Sequence, residues 1–280
     1  MIDFTKLTGI EHGGKVVTQI EDSDGRVMWA VSGGKIVLEV EKITSDTYAG
    51  ETLYENEKFI LLNIYPKTNG TVKVTYGGLT KTITDTSGAE EPNSQEVYFG
   101  TFEGESDSLE TPDAGALTID GALRYVCVGA FAPDSRKGSV KYCNCVTAAR
   151  DWGNVTEIRA LAFRDCPMEI ERLPEGIVSI GAQAFYSNSK MNNRAVTLPS
   201  TLENIYLSAF IEAGSLTDSE GVFYPSKIIV LATTPPIVGD ADYFYDYLDG
   251  FSIIVPKGCS SAYKEADGWV RYKSKIGEAS

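Results

Sequence analysis

The side chains able to carry chemistry in this chain fall into three small groups. The single histidine, His12, stands in Glu-His-Gly-Gly near the start. A Ser-His-Asp or Cys-His relay would have to use it, because imidazole is the side chain that exchanges a proton near neutral pH. No nucleophile context surrounds it, so His12 is read as structural or incidental. The cysteines are Cys127, Cys143, Cys145, Cys166 and Cys259, an odd set of five. Cys143-Asn144-Cys145, with Cys127 and Cys166, invites a metal reading. Zinc favours two residues between paired thiolates, so that both sulfurs can face one ion, and a single intervening residue chelates less well. Structural thiols, a metal set and a disulfide within the group stay open; the odd count argues for mostly reduced thiols. The third group is the stretch GDADYFYDYLDGF, which mixes Tyr243, Phe244, Tyr245, Tyr247 and Phe251 with Asp240, Asp242, Asp246 and Asp249. Aromatics beside acids suit stacking on sugar rings or anchoring a protein partner. Carboxylates could hold calcium, although the spacing is not that of an EF-hand loop. A core aromatic followed by a surface loop explains the same letters. No pair among the 39 acidic residues is singled out for glycoside hydrolysis. Neither phosphate-loop nor dinucleotide-loop glycine spacing occurs. The expectation is a protein that is not an enzyme and uses no cofactor or metal.

The partners are narrowed by charge. A net charge of −14 without a basic run leaves little to neutralise phosphates, so nucleic acid is not expected. An anionic membrane surface is disfavoured on the same ground. No apolar stretch is long enough to span a bilayer. The start, MIDFTKLTGIEHGG, has neither the basic nor the apolar segment of a secretory signal.

Residues 1–34 read as a short β lead with a turn in EDSDGRVMW, closed by Gly33-Gly34. Residues 35–118 alternate apolar and polar letters in short runs: KIVLEVEKI, KFILLNIYP, GTVKVTYGG, LTKTITD, QEVYFGTFEG and GALTIDG. Gly77-Gly78 predicts a hairpin turn, and turn residues punctuate the other runs. This pattern predicts a small antiparallel, immunoglobulin-like β-sandwich.

Residues 119–280 behave differently. LPEGIVSIGAQAF (173–185) and LPSTLENIYLSAF (198–210) share an apolar skeleton at an offset of 25 residues. The skeleton apolar-x-x-Ile-x-x-x-Ala-Phe ends at Phe163, Phe185 and Phe210. One such unit cannot bury its own apolar face, whereas stacked units share a core, so the core letters recur and the outward letters drift. A weaker echo, Leu123/Val126/Ala130/Phe131, is either a degenerate first unit or chance.

These residues resemble the BspA-like leucine-rich repeat family of bacteria, over about residues 140–276. The family pattern of Leu-Pro, Ile-Gly, Ala-Phe and a following Cys or Asn is met by Leu173-Pro174, Ile180-Gly181, Ala184-Phe185 and Asn188. Cys166 stands at the Cys/Asn position after Phe163. The third unit departs, with Tyr206 for the glycine and Ala213 for the Cys/Asn, and looser stacking is expected there. The resemblance makes Tyr263 and Trp269 a terminal cap. It implies a mainly β, multidomain chain whose sandwich is followed by a leucine-rich repeat solenoid of short strands and short helical or turn segments. It further implies recognition or adhesion outside a bacterial cell, at the cell surface, toward a protein or glycan. The alternative is a prophage-encoded virion component, tail-associated or decorating the particle. The face along the short strands carries the expected binding residues, Glu169, Glu171, Arg172, Arg194 and Thr197, with Tyr243, Tyr245 and Tyr247 from the aromatic loop.

Overall fold

The computed structural model describes residues 10–12, 15–17, 19–21, 27–30, 35–40, 47–48, 51–52, 59–89, 95–102, 105–106, 114–128, 146–153, 155–160, 162–163, 166, 168–185, 188, 194–210, 225–239 and 251–280. The first described elements are short strands: β1 (Ile10–His12) pairs with β2 (Lys15–Val17), and β3 (Gln19–Glu21) with β4 (Val27–Ala30), both antiparallel. The turn expected in EDSDGRVMW falls between β3 and β4 on residues 22–26, which lie outside the described residues. His12 ends β1 opposite Lys15.

The next strands are β5 (Ile36–Val40), the small pair β6 (Thr47–Tyr48) and β7 (Glu51–Thr52), β8 (Phe59–Pro66), β9 (Thr71–Tyr76), β10 (Leu79–Thr84), β11 (Gln95–Phe102), β12 (Glu105–Ser106), β13 (Gly115–Gly121), β14 (Leu123–Val128) and β15 (Val146–Trp152). They form two antiparallel sheets, ordered β10-β9-β13-β5-β15 and β12-β11-β8-β14. Alternation in the sequence becomes alternation in burial. Ile36, Leu38 and Val40 of β5 and Val72, Val74 and Tyr76 of β9 face inward, while the residues between them face out. Leu62, Ile64 and Phe99 close the core from the other sheet, and Tyr76 meets Phe99 edge-on at 5.7 Å. Each large apolar side chain removed from water contributes about 1.5–3 kcal/mol.

The Gly77-Gly78 hairpin is as expected. Tyr76 pairs with Leu79 across it, and both glycines have positive φ, 56° and 85°, which a two-residue turn of matching twist requires. A neighbouring turn is fixed by Asp85. Its carboxylate accepts from the Asn69 N–H at 2.8 Å, the Ser87 N–H at 3.0 Å and the Ser87 hydroxyl at 2.6 Å. These bonds, the Ser87 hydroxyl first, hold its pKa below the ordinary value. Lys81, on edge strand β10, turns its ammonium inward to the Tyr98 carbonyl and over the Tyr98 ring. An inward charge on an edge strand discourages pairing with another chain.

Pairing of these sheets runs on past residue 118. The segment Leu123–Val128, which carries part of the weak repeat echo, is an antiparallel partner of β8 rather than a member of a parallel ladder. Val146–Trp152 is an antiparallel partner of β5.

Beyond Trp152 the pairing becomes parallel. Short strands β16 (Glu157–Ile158), β17 (Ser179–Ile180), β19 (Asn204–Ile205) and β21 (Ile237–Val238) make one ladder. A second ladder joins β18 (Ala195–Leu198), β20 (Lys227–Val230), β22 (Ser252–Val255) and β23 (Ile276–Glu278), and Arg172 bridges to Thr197 at its start. The repeated letters stack in register. Ile158, Ile180 and Ile205 lie side by side in the first ladder, all buried. Phe163, Phe185 and Phe210 stack face to face, with centroids 5.5 Å and 5.3 Å apart and planes within 10° of parallel. Each Ala-Phe pair lies on a turn or, in Leu207–Phe210, a short 3-10 helix, and the Phe163 and Phe185 amides donate to Ala184 and Ala209 of the next coil at 2.7 Å.

The third coil is not loosened by Tyr206, contrary to the expectation. A Cβ at Gly181 would lie 2.3 Å from the Ala160 nitrogen, so glycine is needed there for close approach of two backbones. At the equivalent place in the third coil the Tyr206 ring occupies the space over Gly239, where a Cβ would fall 2.2 Å from the ring. The bulky residue is matched by a glycine one coil further on. The ladder persists through it, with Tyr206 N–H on Ile180 O at 2.9 Å and Gly239 N–H on Ile205 O at 3.1 Å.

At the far end, helix α1 (Ser260–Glu265) and the 3-10 turn Trp269–Tyr272 cover the last coil. Tyr263 and Trp269 are fully buried and meet edge-on at 5.0 Å. Their polar atoms are satisfied: Tyr263 Oη donates to Ala232 O at 2.7 Å and Trp269 Nε1 to Pro236 O at 2.6 Å. Burial, aided by the nearby Cys259, pushes the Tyr263 phenol above its ordinary pKa.

Strand β23 is clamped to the start of α1. Glu278 on β23 accepts from the backbone of Gly258 and from the hydroxyl and backbone of Ser260, which lowers its pKa from 4.5 to about 2. Stability from this clamp is complete above the unfolded value and is lost as pH falls through the folded one. Glu278→Gln is therefore expected to lower the thermal midpoint near neutral pH. The gap to the parent should shrink across pH 4.5 to about 2 in thermal scans at a pH series.

Candidate functional site

The second ladder decides which side chains are available for recognition. Along β18, β20 and β22 burial alternates: Val196, Ile228 and Ile253 point into the coil, as do Leu198, Val230 and Val255. The intervening positions face out. Register aligns Ala195, Lys227 and Ser252 in one outward row and Thr197, Ile229, Ile254 and Gly277 in the next. Ile229 and Ile254 are half-exposed neighbours on adjacent strands. Gly277 extends the row without a side chain, and the Ile254 Cδ1 lies 3.6 Å from where a Cβ there would be.

Five of the expected binding residues lie at the start of this face. Glu169 pairs with Arg194 at 3.4 Å, one coil to the next. Arg172 pairs with Glu175 at 3.4 Å, and Glu175 also accepts from the Ser200 N–H at 2.9 Å and the Ser200 hydroxyl at 2.7 Å. Thr197 is held by its backbone between two bonds, its N–H to Glu171 O at 2.8 Å and its carbonyl from Leu173 N–H at 2.9 Å. Glu171 is exposed. The first coils are thus laced by exposed ion pairs, each worth about 1 kcal/mol or less, while the later coils present aliphatic surface. Tyr243, Tyr245 and Tyr247 lie outside the described residues.

Lys227, Ile229, Ser252 and Ile254 were missed in the sequence. KIIV and SIIV place apolar letters side by side, so alternation is not visible without the register to β18, whose AVTL does alternate.

The cysteine cluster gains no geometry. Cys143 and Cys145 lie outside the described residues, as does the side chain of Cys127. Cys166 is buried and Cys259 half-buried, and neither forms a disulfide. Among the described residues no group of His, Cys, Asp and Glu could hold a metal ion, and no helix is long and apolar enough to cross a membrane. Asn188, one coil on from Cys166, is 5% exposed with neither amide atom hydrogen-bonded. An unpaired buried amide costs about 1–3 kcal/mol. Asn188→Ala is therefore expected to stay within about 1 kcal/mol of the parent or exceed it, read from denaturant unfolding, unlike other truncations in this core.

Residues 140–230 match the family model for the BspA type leucine rich repeat region, in six copies. The chain matches no curated protein.

Proposed function

We propose, from the match of residues 140–230 to the BspA type leucine rich repeat region, that this chain is a non-catalytic recognition protein. Its architecture in this reading is an immunoglobulin-like sandwich that carries a capped leucine-rich repeat solenoid. It works outside a bacterial cell, the usual setting of BspA-like proteins, and binds a protein through the outer face of the β18-β20-β22-β23 ladder. The observation that carries the reading is the row Thr197, Ile229 and Ile254. These side chains stand on the side of the strands that the core does not use, spaced by about 4.8 Å from strand to strand. Half-exposed aliphatics beside Lys227 and a rim of Glu169, Arg194 and Arg172 give an apolar centre with a polar border, the layout of protein interfaces. The half-exposed aliphatic pair Ile229 and Ile254 suits an apolar protein contact.

The test is a binding screen of the intact protein against bacterial and host surface proteins, with a glycan array beside it. The Ile229→Glu/Ile254→Glu double variant serves as the probe, its folding checked by its melting curve. A protein ligand whose Kd rises at least about tenfold in the variant, a loss of 1.4 kcal/mol or more, is the expected result. Unchanged affinity in a folded variant, or binding confined to glycans, would count against this reading.

A further inference from the structure

We infer that strand β15 belongs to both halves of the molecule at once, closing the sandwich with one edge and capping the first repeat coil with the other, so that the two halves unfold as one unit.

The pairing is direct on the sandwich side. β15 lies against β5 from Val146↔Val40 to Trp152↔Ile36, so seven residues are set against five. Two register shifts, between Val146 and Ala148 and between Ala149 and Asp151, absorb the excess. Arg150 ties the same two strands through an ion pair to Glu39. Bulges add twist and re-aim side chains, and here they accompany a change of allegiance. Val146 is fully buried, whereas Trp152 at the other end meets Phe163 of the first coil edge-on, with centroids 5.3 Å apart and planes at 78°. Trp152 is thus the first ring of the series continued by Phe163, Phe185 and Phe210. The free edge of β15 is used as well: the Glu169 N–H donates to Thr147 O at 3.0 Å. Directly after the strand, Gly153 takes a φ of 58° and donates its N–H to Asp151 Oδ1 at 2.8 Å, turning the chain into the first coil.

A repeat stack needs its first coil covered, because each unit buries its apolar face only against a neighbour. β15 meets that need with a strand that the sandwich also requires. The match to the repeat family begins at residue 140, before β15, so by sequence the strand belongs to the repeats while by pairing it completes a sandwich sheet. The buried side chains of sandwich and repeats form one continuous cluster. The recognition face is thereby held at a fixed orientation to the sandwich rather than swinging on a linker.

Hydrogen exchange on the full chain, read peptide by peptide, tests the coupling through Trp152→Ala. Protection is expected to fall by a common factor, about tenfold or more, in β5 and β13 of the sandwich and in β17 and β19 of the repeats. If Trp152→Ala does not fold, Trp152→Phe retains a ring and is read in the same way, with a smaller common fall. Loss of protection in one half alone, or in neither, would overturn the inference.

Discussion

Trp269→Ala is expected to destabilise the chain by about 3–5 kcal/mol, the range for removing a fully buried large aromatic. Trp269 is 0% exposed, packs against Tyr263 at 5.0 Å and donates to Pro236 O. Truncation leaves a cavity over the last coil and removes the donor that satisfies a backbone carbonyl. Val238 packs into the hollow beside Gly268, the residue before the lost ring. Because α1 and the Trp269–Tyr272 turn share this contact, the cap is expected to open before the rest of the stack. Trp269→Phe keeps most of the apolar volume but not the hydrogen bond, and is expected to cost less. Denaturant unfolding followed by circular dichroism ranks the two variants. Equal costs would assign the effect to the hydrogen bond rather than to packing.

The second large effect is expected at the centre of the ring stack. Phe185 is buried and has a parallel ring on either side, Phe163 at 5.5 Å and Phe210 at 5.3 Å. Phe185→Ala removes both contacts and is expected to cost about 3–5 kcal/mol. A double-mutant cycle with Phe163→Ala should return a coupling of about 0.5–1.5 kcal/mol beyond the separate losses. Additive costs would mean that the rings fill space independently, and the stack would lose its place as the reason the Ala-Phe pair recurs.

Much of the repeat architecture is legible in the sequence because a shared core repeats its requirements. Isoleucine at 158, 180 and 205 and phenylalanine at 163, 185 and 210 occupy equivalent places, so one letter solves the same packing problem each time. The Gly77-Gly78 turn is equally legible, since few residues accept positive φ at two successive positions. The role of β15 is not. Its residues are mostly half-buried, with two register shifts, so no period of two survives in VTAARDW. Tyr206 misled for a related reason: the residue that accommodates it, Gly239, is 33 positions away and acquires meaning only through the ladder. The outward isoleucines at 229 and 254 are hidden among inward ones until the register separates the two faces. The structure adds that Glu169 and Arg194 pair with each other across coils.

The most direct test of the account is an exchange footprint of the intact chain bound to a protein ligand found in the surface-protein screen. Added protection is expected over Ala195–Leu198, Lys227–Val230 and Ser252–Val255, the strands whose outer rows hold Thr197, Lys227, Ile229 and Ile254. Protection confined to the sandwich sheets, with those strands unchanged, would contradict recognition by the repeat face.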